Sequence, residues 1–256
     1  MNPPKVDELD YIHFLIAAQQ VFTCTEAARG QPESPKATAH DAFTRLLSRQ
    51  PRNTEALWQQ AQSVVDKERG LLVVDDTTLD KPYASKMELM TYHWSGKHQR
   101  VVPGIALITL LGTDGEATIP CDFRVDDAPL GGSTKNEHFR AMLQTAKGRG
   151  FAPAYVLMDS WYSGLANLKL IAHLGWFFLT RLKSNRKVNP DGQGNVPVSE
   201  VEIPPEGRVV HRRGFGFVRV FRMVSKDGGA QYWATNDLGL TGQERERLEQ
   251  AGWRIE

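Results

Sequence analysis

The sequence predicts a mixed α/β fold in which a helical N-terminal region leads into a sheet that helices cover. Three observations predict it. Through residues 1–69 the apolar residues recur with the period of a helix. At Leu71 that period gives way to runs rich in branched residues. From there the candidate elements follow the order βββαβαβ, which suits a layered sheet better than a barrel.

In the first region Ile12, Leu15, Ile16 and Phe22 recur at helical spacing, as do Phe43, Leu46 and Leu47, and then Leu57, Ala61, Val64 and Val65. Asn53 stands where the last of these helices would be capped. Between Thr25 and Arg49 a short helix (TEAARG), a break (GQPESP) and a second helix (KATAHDAFTRLL) are compatible with a helix-turn-helix, though helix pairs joined by a turn are common and a generic helical bundle is the plainer reading. The strand candidates LLVVDD, RVVPGIALITLL and EATIPCDFRV follow. A helix opens on Thr134 and Glu137, at capping-box spacing, and ends at Gly150. AYVLMDS reads as a buried strand, SGLANLKLIAHLG as a helix with Ser163 as N-cap and Gly175 at its end, and WFFLTRLK as a fifth strand. Residues 184–238 then break the alternation with a turn (NPDGQGN) and short β-like runs, a β insertion. The last segment, TGQERERLEQAGWRIE, opens with a capping box from Thr241 to Glu244 and sets Leu248, Ala251, Gly252 and Ile255 on one helix face. The expected division is 1–69 helical, 70–183 first part of the core, 184–238 insertion and 239–256 closing helix.

Composition narrows the function classes. The 31 basic residues nearly balance the 30 acidic ones, so any surface for a polyanion must come from local clustering. Cys24 and Cys121, the two cysteines, give neither a disulfide framework nor zinc-ligand spacing, as suits a reducing cytoplasm. The longest apolar stretch, from Val101 to Gly112, contains a Pro and a Gly and falls short of the roughly 20 residues a membrane helix needs. MNPPKVDELD does not have the pattern of a signal peptide.

Three carboxylates carry the chemistry. Asp76 ends the run VVDD and Asp159 ends VLMD, both at expected strand ends, while Glu256 closes GWRIE. One aspartate at a strand end is most often a turn cap. Three together are what is needed to hold two divalent cations over a phosphodiester, and no Ser/His/Asp or Cys/His nucleophile is then required. Between residues 181 and 226 ten basic residues face four acidic ones, a local excess of six; Arg181, Lys183, Arg186, Lys187, Arg212, Arg213 and Arg219 are the candidate phosphate contacts. Lys97, Arg100 and Lys135 are further candidates, and Trp233 is a candidate for stacking on an unpaired base. His93 and His98 read as polar loop residues.

These residues resemble the DDE-type transposases of bacterial insertion sequences. The resemblance spans residues 71–256 and rests on DDTTLDKP, HWSGKHQRVVPGIALITL, the TK before the first core helix, MDSWYSGLANLKLIAHLGWFFLTRLKSN and GWRIE. It implies an RNase H-like mixed sheet flanked by helices, with the β insertion placed before the last helix. Asp76 (the Asp just before Thr, not Asp75), Asp159 and Glu256 would be the catalytic metal ligands for two Mg²⁺ or Mn²⁺ ions. The implied activity is DNA cleavage and strand transfer, with transposon terminal inverted repeats and target DNA as partners, a homodimer in the synaptic complex, and a cytoplasmic, nucleoid-associated location. The pattern departs near the third acid, where the family has a Tyr seven residues earlier and an Arg four earlier and this chain has Glu249 and Gly252. The sequence also stops at that acid. Two alternatives accompany the reading: a truncated DNA-binding fragment that inhibits transposition, and a host nuclease of the same fold.

Overall fold

A computed structural model describes residues 4–19, 21–32, 38–51, 53–68, 70–84, 87–96, 98–127, 131–224 and 228–253. The chain forms two compact units, Met1–Asn53 and Thr54–Glu256.

The first unit holds α1 (Glu8–Ala17), α2 (Cys24–Arg29) and α3 (His40–Arg49). Asp7 and Asp10 cap α1 reciprocally, each carboxylate accepting the other's backbone N–H at 3.0 Å. Its core gathers Val6, Ala27, Ala42, Phe43 and Leu46, with Tyr11 and Phe14 packed against them. Ile12, Leu15 and Ile16, expected on the packed face of α1, are exposed instead. The aromatic pair Tyr11 and Phe14, spaced i and i+3, takes that face, with the Tyr11 ring reaching Phe43 at 6.0 Å between centroids. Part of the GQPESP break between α2 and α3 lies outside the described residues.

The second unit opens with α4 (Thr54–Ala61), which packs on β4 of the sheet. The sheet strands are β1 (Leu71–Asp80), β2 (Thr91–Ser95), β3 (Arg100–Thr113), β4 (Thr118–Val125), β5 (Tyr155–Met158) and β6 (Phe177–Leu182), with α5 (Lys135–Gly148) and α6 (Leu165–His173) between the later ones. β1 pairs antiparallel with β3, which carries β4 on its other side, and β5 and β6 run parallel to β1. The order β4-β3-β1-β5-β6 is the mixed sheet of the RNase H-like fold.

Residues 184–238 form a small ribbon, β7 (Lys187–Val188) with β8 (Val196–Pro197), and three strands, β9 (Arg208–Arg212), β10 (Gly216–Val224) and β11 (Ala230–Thr235). β11 pairs antiparallel with β6, so these strands extend the main sheet. α7 (Gly242–Trp253) closes the described chain, and Thr241 and Glu244 form the expected capping box.

Alternation along the strands sends apolar side chains to both faces of the sheet. Leu72, Val74, Val156, Met158 and Phe178 meet Phe139, Met142 and Leu143 of α5 and Leu168 and Ile171 of α6. Val73, Leu157, Leu179 and Trp233 form a second cluster with Leu248 of α7. Both faces being covered, β1 and β5 read as continuous apolar runs. Gly252 allows α7 its close approach, since a Cβ there would stand 3.1 Å from Leu157 Cδ1. The Thr134–Glu137 box caps α5 as expected. α6 differs, because its N-cap is Gly164; the Ser163 hydroxyl instead donates to Ser160 O at 2.7 Å.

Candidate active site

β1 and β5 lie side by side in parallel, Val74 opposite Met158. β5 ends there, so Asp159 is the first residue past the strand, while Asp75 and Asp76 continue β1 along β3. Alternation puts Asp76 on the face of Leu72 and Val74, toward α5, and Asp75 on the face of Val73. Asp76 and Asp159 line one cleft together with His93, Asp126, Lys135 and Trp161. Asp75 and Asp159 line a second one with Leu157, Arg181, Trp233 and Glu249. Asp159 therefore stands at the boundary between the two faces.

The chain after β5 is built to fix Asp159. Its Oδ1 accepts the backbone N–H groups of Trp161 (2.9 Å) and Tyr162 (3.4 Å), and its carbonyl accepts the Thr180 hydroxyl at 2.9 Å. Tyr162 is fully buried, stacks on Phe139 with centroids 5.0 Å apart, and donates its hydroxyl to Asp76 Oδ1 at 3.3 Å. Farther along, Arg212 Nη2 donates to Ser163 O at 2.8 Å. Lys135, the first residue of α5, pairs its ammonium with Asp76 Oδ2.

The electrostatics follow from this burial. Burial raises the Asp159 carboxyl above its ordinary range and the charge on Asp76 adds to the rise, while the Trp161 amide opposes it. Burial likewise raises Asp75. The Tyr162 phenol is raised by burial and then by Asp76, so it stays a hydrogen-bond donor. Burial, then the Lys135 charge, lowers His93 and keeps it neutral at pH 7. Two carboxylates facing one cleft, with hard oxygen donors and an Asp159 Oδ2 that has no hydrogen bond among the described residues, fit Mg²⁺ or Mn²⁺.

The other candidate residues divide. Glu256 and Lys97 lie outside the described residues, and among those described no group of three or more potential ligands gathers. Arg100 is exposed at the start of β3, opposite Ser95. His98 pairs with Asp80 at 2.6 Å. Lys183, Lys187 and Arg213 are exposed, whereas Arg186 and Arg219 are half-buried and Arg219 donates to Glu206 O at 3.0 Å. Arg212 points inward: it is 5% exposed, and desolvation, with Arg186 nearby, pushes its pKa down to about 10. Trp233 is 6% exposed and lies in the core with the Arg181 guanidinium over its ring at 5.1 Å, so its face is occupied by protein.

Sequence reasoning missed Tyr162, whose one signal was its place three residues after Asp159. It also missed the pairing of Glu249 with Arg245, a fully buried arginine. The inward turn of Arg212 had a legible cue: it stands two residues after the buried Val210 on the same strand.

A family model described as DDE superfamily endonuclease matches residues 14–215, a span that includes Asp76 and Asp159. Among solved structures, the Drosophila P element transposase strand transfer complex aligns at 11% identity over 75% of this chain and 51% of that one, with a TM-score of 0.32. The NurA nuclease from Sulfolobus solfataricus aligns at 9% identity over 77% of this chain and 79% of that one, with a TM-score of 0.33. The chain thus spans about half the length of the transposase it matches. No curated protein sequence matches this chain.

Proposed function

The chain belongs to the DDE superfamily of endonucleases, and we propose that it is the transposase of a bacterial insertion sequence, cleaving DNA at transposon ends and joining the freed 3′ ends to target DNA. The observation that carries this reading is the convergence of Asp76, within β1, and Asp159, just past the end of the neighbouring β5, on one cleft that also holds Lys135. In this reading Asp76 and Asp159 hold Mg²⁺ or Mn²⁺, with Glu256 as the proposed third ligand. Divalent cations bound there would supply Lewis-acid activation of a water and stabilisation of the leaving oxygen.

The protein's own part is placement. The amides of Trp161 and Tyr162 and the Thr180 hydroxyl fix Asp159, and Tyr162 fixes Asp76, so neither carboxylate needs to reorganise to accept a cation. Exposed Lys183, Lys187 and Arg213 offer phosphate contacts along β6, β7 and the end of β9. The proposed partners are the terminal repeats, target DNA and a second copy of the chain in synapsis.

Joining separates a transposase from a nuclease of the same fold. Incubated with Mn²⁺, supercoiled plasmid and a labelled duplex ending in a free 3′ hydroxyl, the protein is expected to transfer label into the plasmid. Nicking without transfer would reject the transposase reading and leave a nuclease.

A further inference from the structure

We propose that Lys135 is an internal counter-ion that holds Asp76 in the metal-free protein and passes to a substrate phosphate when divalent cations take its place; this rests on the metal-dependent reading above. Its position is electrostatically unusual. Lys135 is the first residue of α5, directly after the N-cap Thr134, where the helix carries its positive partial charge and an acidic residue is preferred. A lysine there works against the helix and is favoured only by the anion it faces.

That anion is Asp76, on the oxygen Oδ2, while Oδ1 already accepts the Tyr162 hydroxyl. A divalent cation held by Asp76 would compete with the ammonium for its carboxylate. Both side chains are largely buried, at 18% and 22% exposure, so the displaced charge needs another partner inside the same cleft. The four-carbon stem lets the ammonium swing without moving the helix. Trp161 lies on its route, its ring centroid 5.9 Å from Nζ, and offers an intermediate resting place. The next anion available in a loaded cleft is a phosphate of the bound strand. Lys135 thus opposes metal binding when DNA is absent and favours it when DNA is present, which couples the two ligands.

The test uses Mn²⁺ alone, titrated into the full chain and followed by the paramagnetic resonance of free Mn²⁺, alongside binding of a short DNA duplex by fluorescence anisotropy with and without Ca²⁺. Lys135→Met is expected to tighten Mn²⁺ binding on the order of tenfold, the size of one lost charge-assisted bond. It should abolish the gain in duplex affinity that Ca²⁺ gives the wild type. Lys135→Arg, which keeps the charge, should bind Mn²⁺ like the wild type, and matching far-ultraviolet circular dichroism establishes that both variants are folded. Unchanged or weaker Mn²⁺ binding in Lys135→Met, with Asp159→Asn still weakening it, overturns the counter-ion role alone. If Mn²⁺ binding is the same in the wild type and Asp159→Asn, the metal-dependent reading falls and the proposal falls with it.

Discussion

Arg212 and Arg213 are neighbours with the same charge and opposite duties. Arg212 ties β9 to the segment that presents Asp159 by donating to Ser163 O, whereas Arg213 is exposed to solvent. Arg212→Ala removes a charged donor from a buried carbonyl along with the packing of its stem, so a destabilisation of about 2–3 kcal/mol is expected in denaturant melts. The same change should leave the salt dependence of DNA binding as it was. Arg213→Ala and Lys187→Ala should reverse that pattern, shifting stability by less than about 0.5 kcal/mol. Each should reduce the slope of log affinity against log salt by about 0.9 per lost phosphate contact. The excess of basic residues was plain in the sequence; which of them face outward was set by strand alternation. The thiols divide in a similar way. Cys121 is buried and its pKa is pushed up to about 11 by desolvation. At pH 8 its thiolate fraction is then roughly a thousandth. A thiol-titrating reagent should modify one cysteine, the half-buried Cys24, in the native protein and reach Cys121 upon unfolding.

At the scale of elements, β3 depends on one small residue. Gly104 pairs with Asp80 on β1 and with Thr91 on β2, and a Cβ there would stand 2.7 Å from Leu79 O. That neighbour is backbone and cannot yield without moving β1. Gly104→Ala is expected to cost roughly 1–3 kcal/mol and to lower the melting temperature; a variant as stable as the wild type would show that the strands separate freely there. Elements with strong local signals were legible in advance. The Thr134–Glu137 and Thr241–Glu244 boxes cap α5 and α7, and β5 ends just before Asp159 as expected, whereas β1 runs on past Asp76 to Asp80 along β3. Features set by partners distant in sequence were not legible. The Lys135–Asp76 pair joins residues 59 positions apart, and the packed face of α1 was decided by Phe43 on another helix. Ser163 looked like the cap of α6, yet its hydroxyl had a nearer acceptor in Ser160 O.

For the molecule as a whole, the main sheet of the second unit separates two apolar clusters and gathers three aspartates where β5 ends beside β1, with Asp76 and Asp75 on opposite faces and Asp159 between them. The proposed chemistry lies on the α5 face, with Asp76 and Asp159, and Asp75 is a half-buried neighbour on the α7 side. Cleavage of supercoiled plasmid in Mn²⁺ by Asp75→Asn, Asp76→Asn and Asp159→Asn, each shown to melt cooperatively, tests that assignment most directly. The expected result is metal-dependent nicking that survives in Asp75→Asn and falls at least about a hundredfold in the other two. Retained nicking in Asp76→Asn with loss in Asp75→Asn would place the site on the opposite face of the sheet and contradict the account.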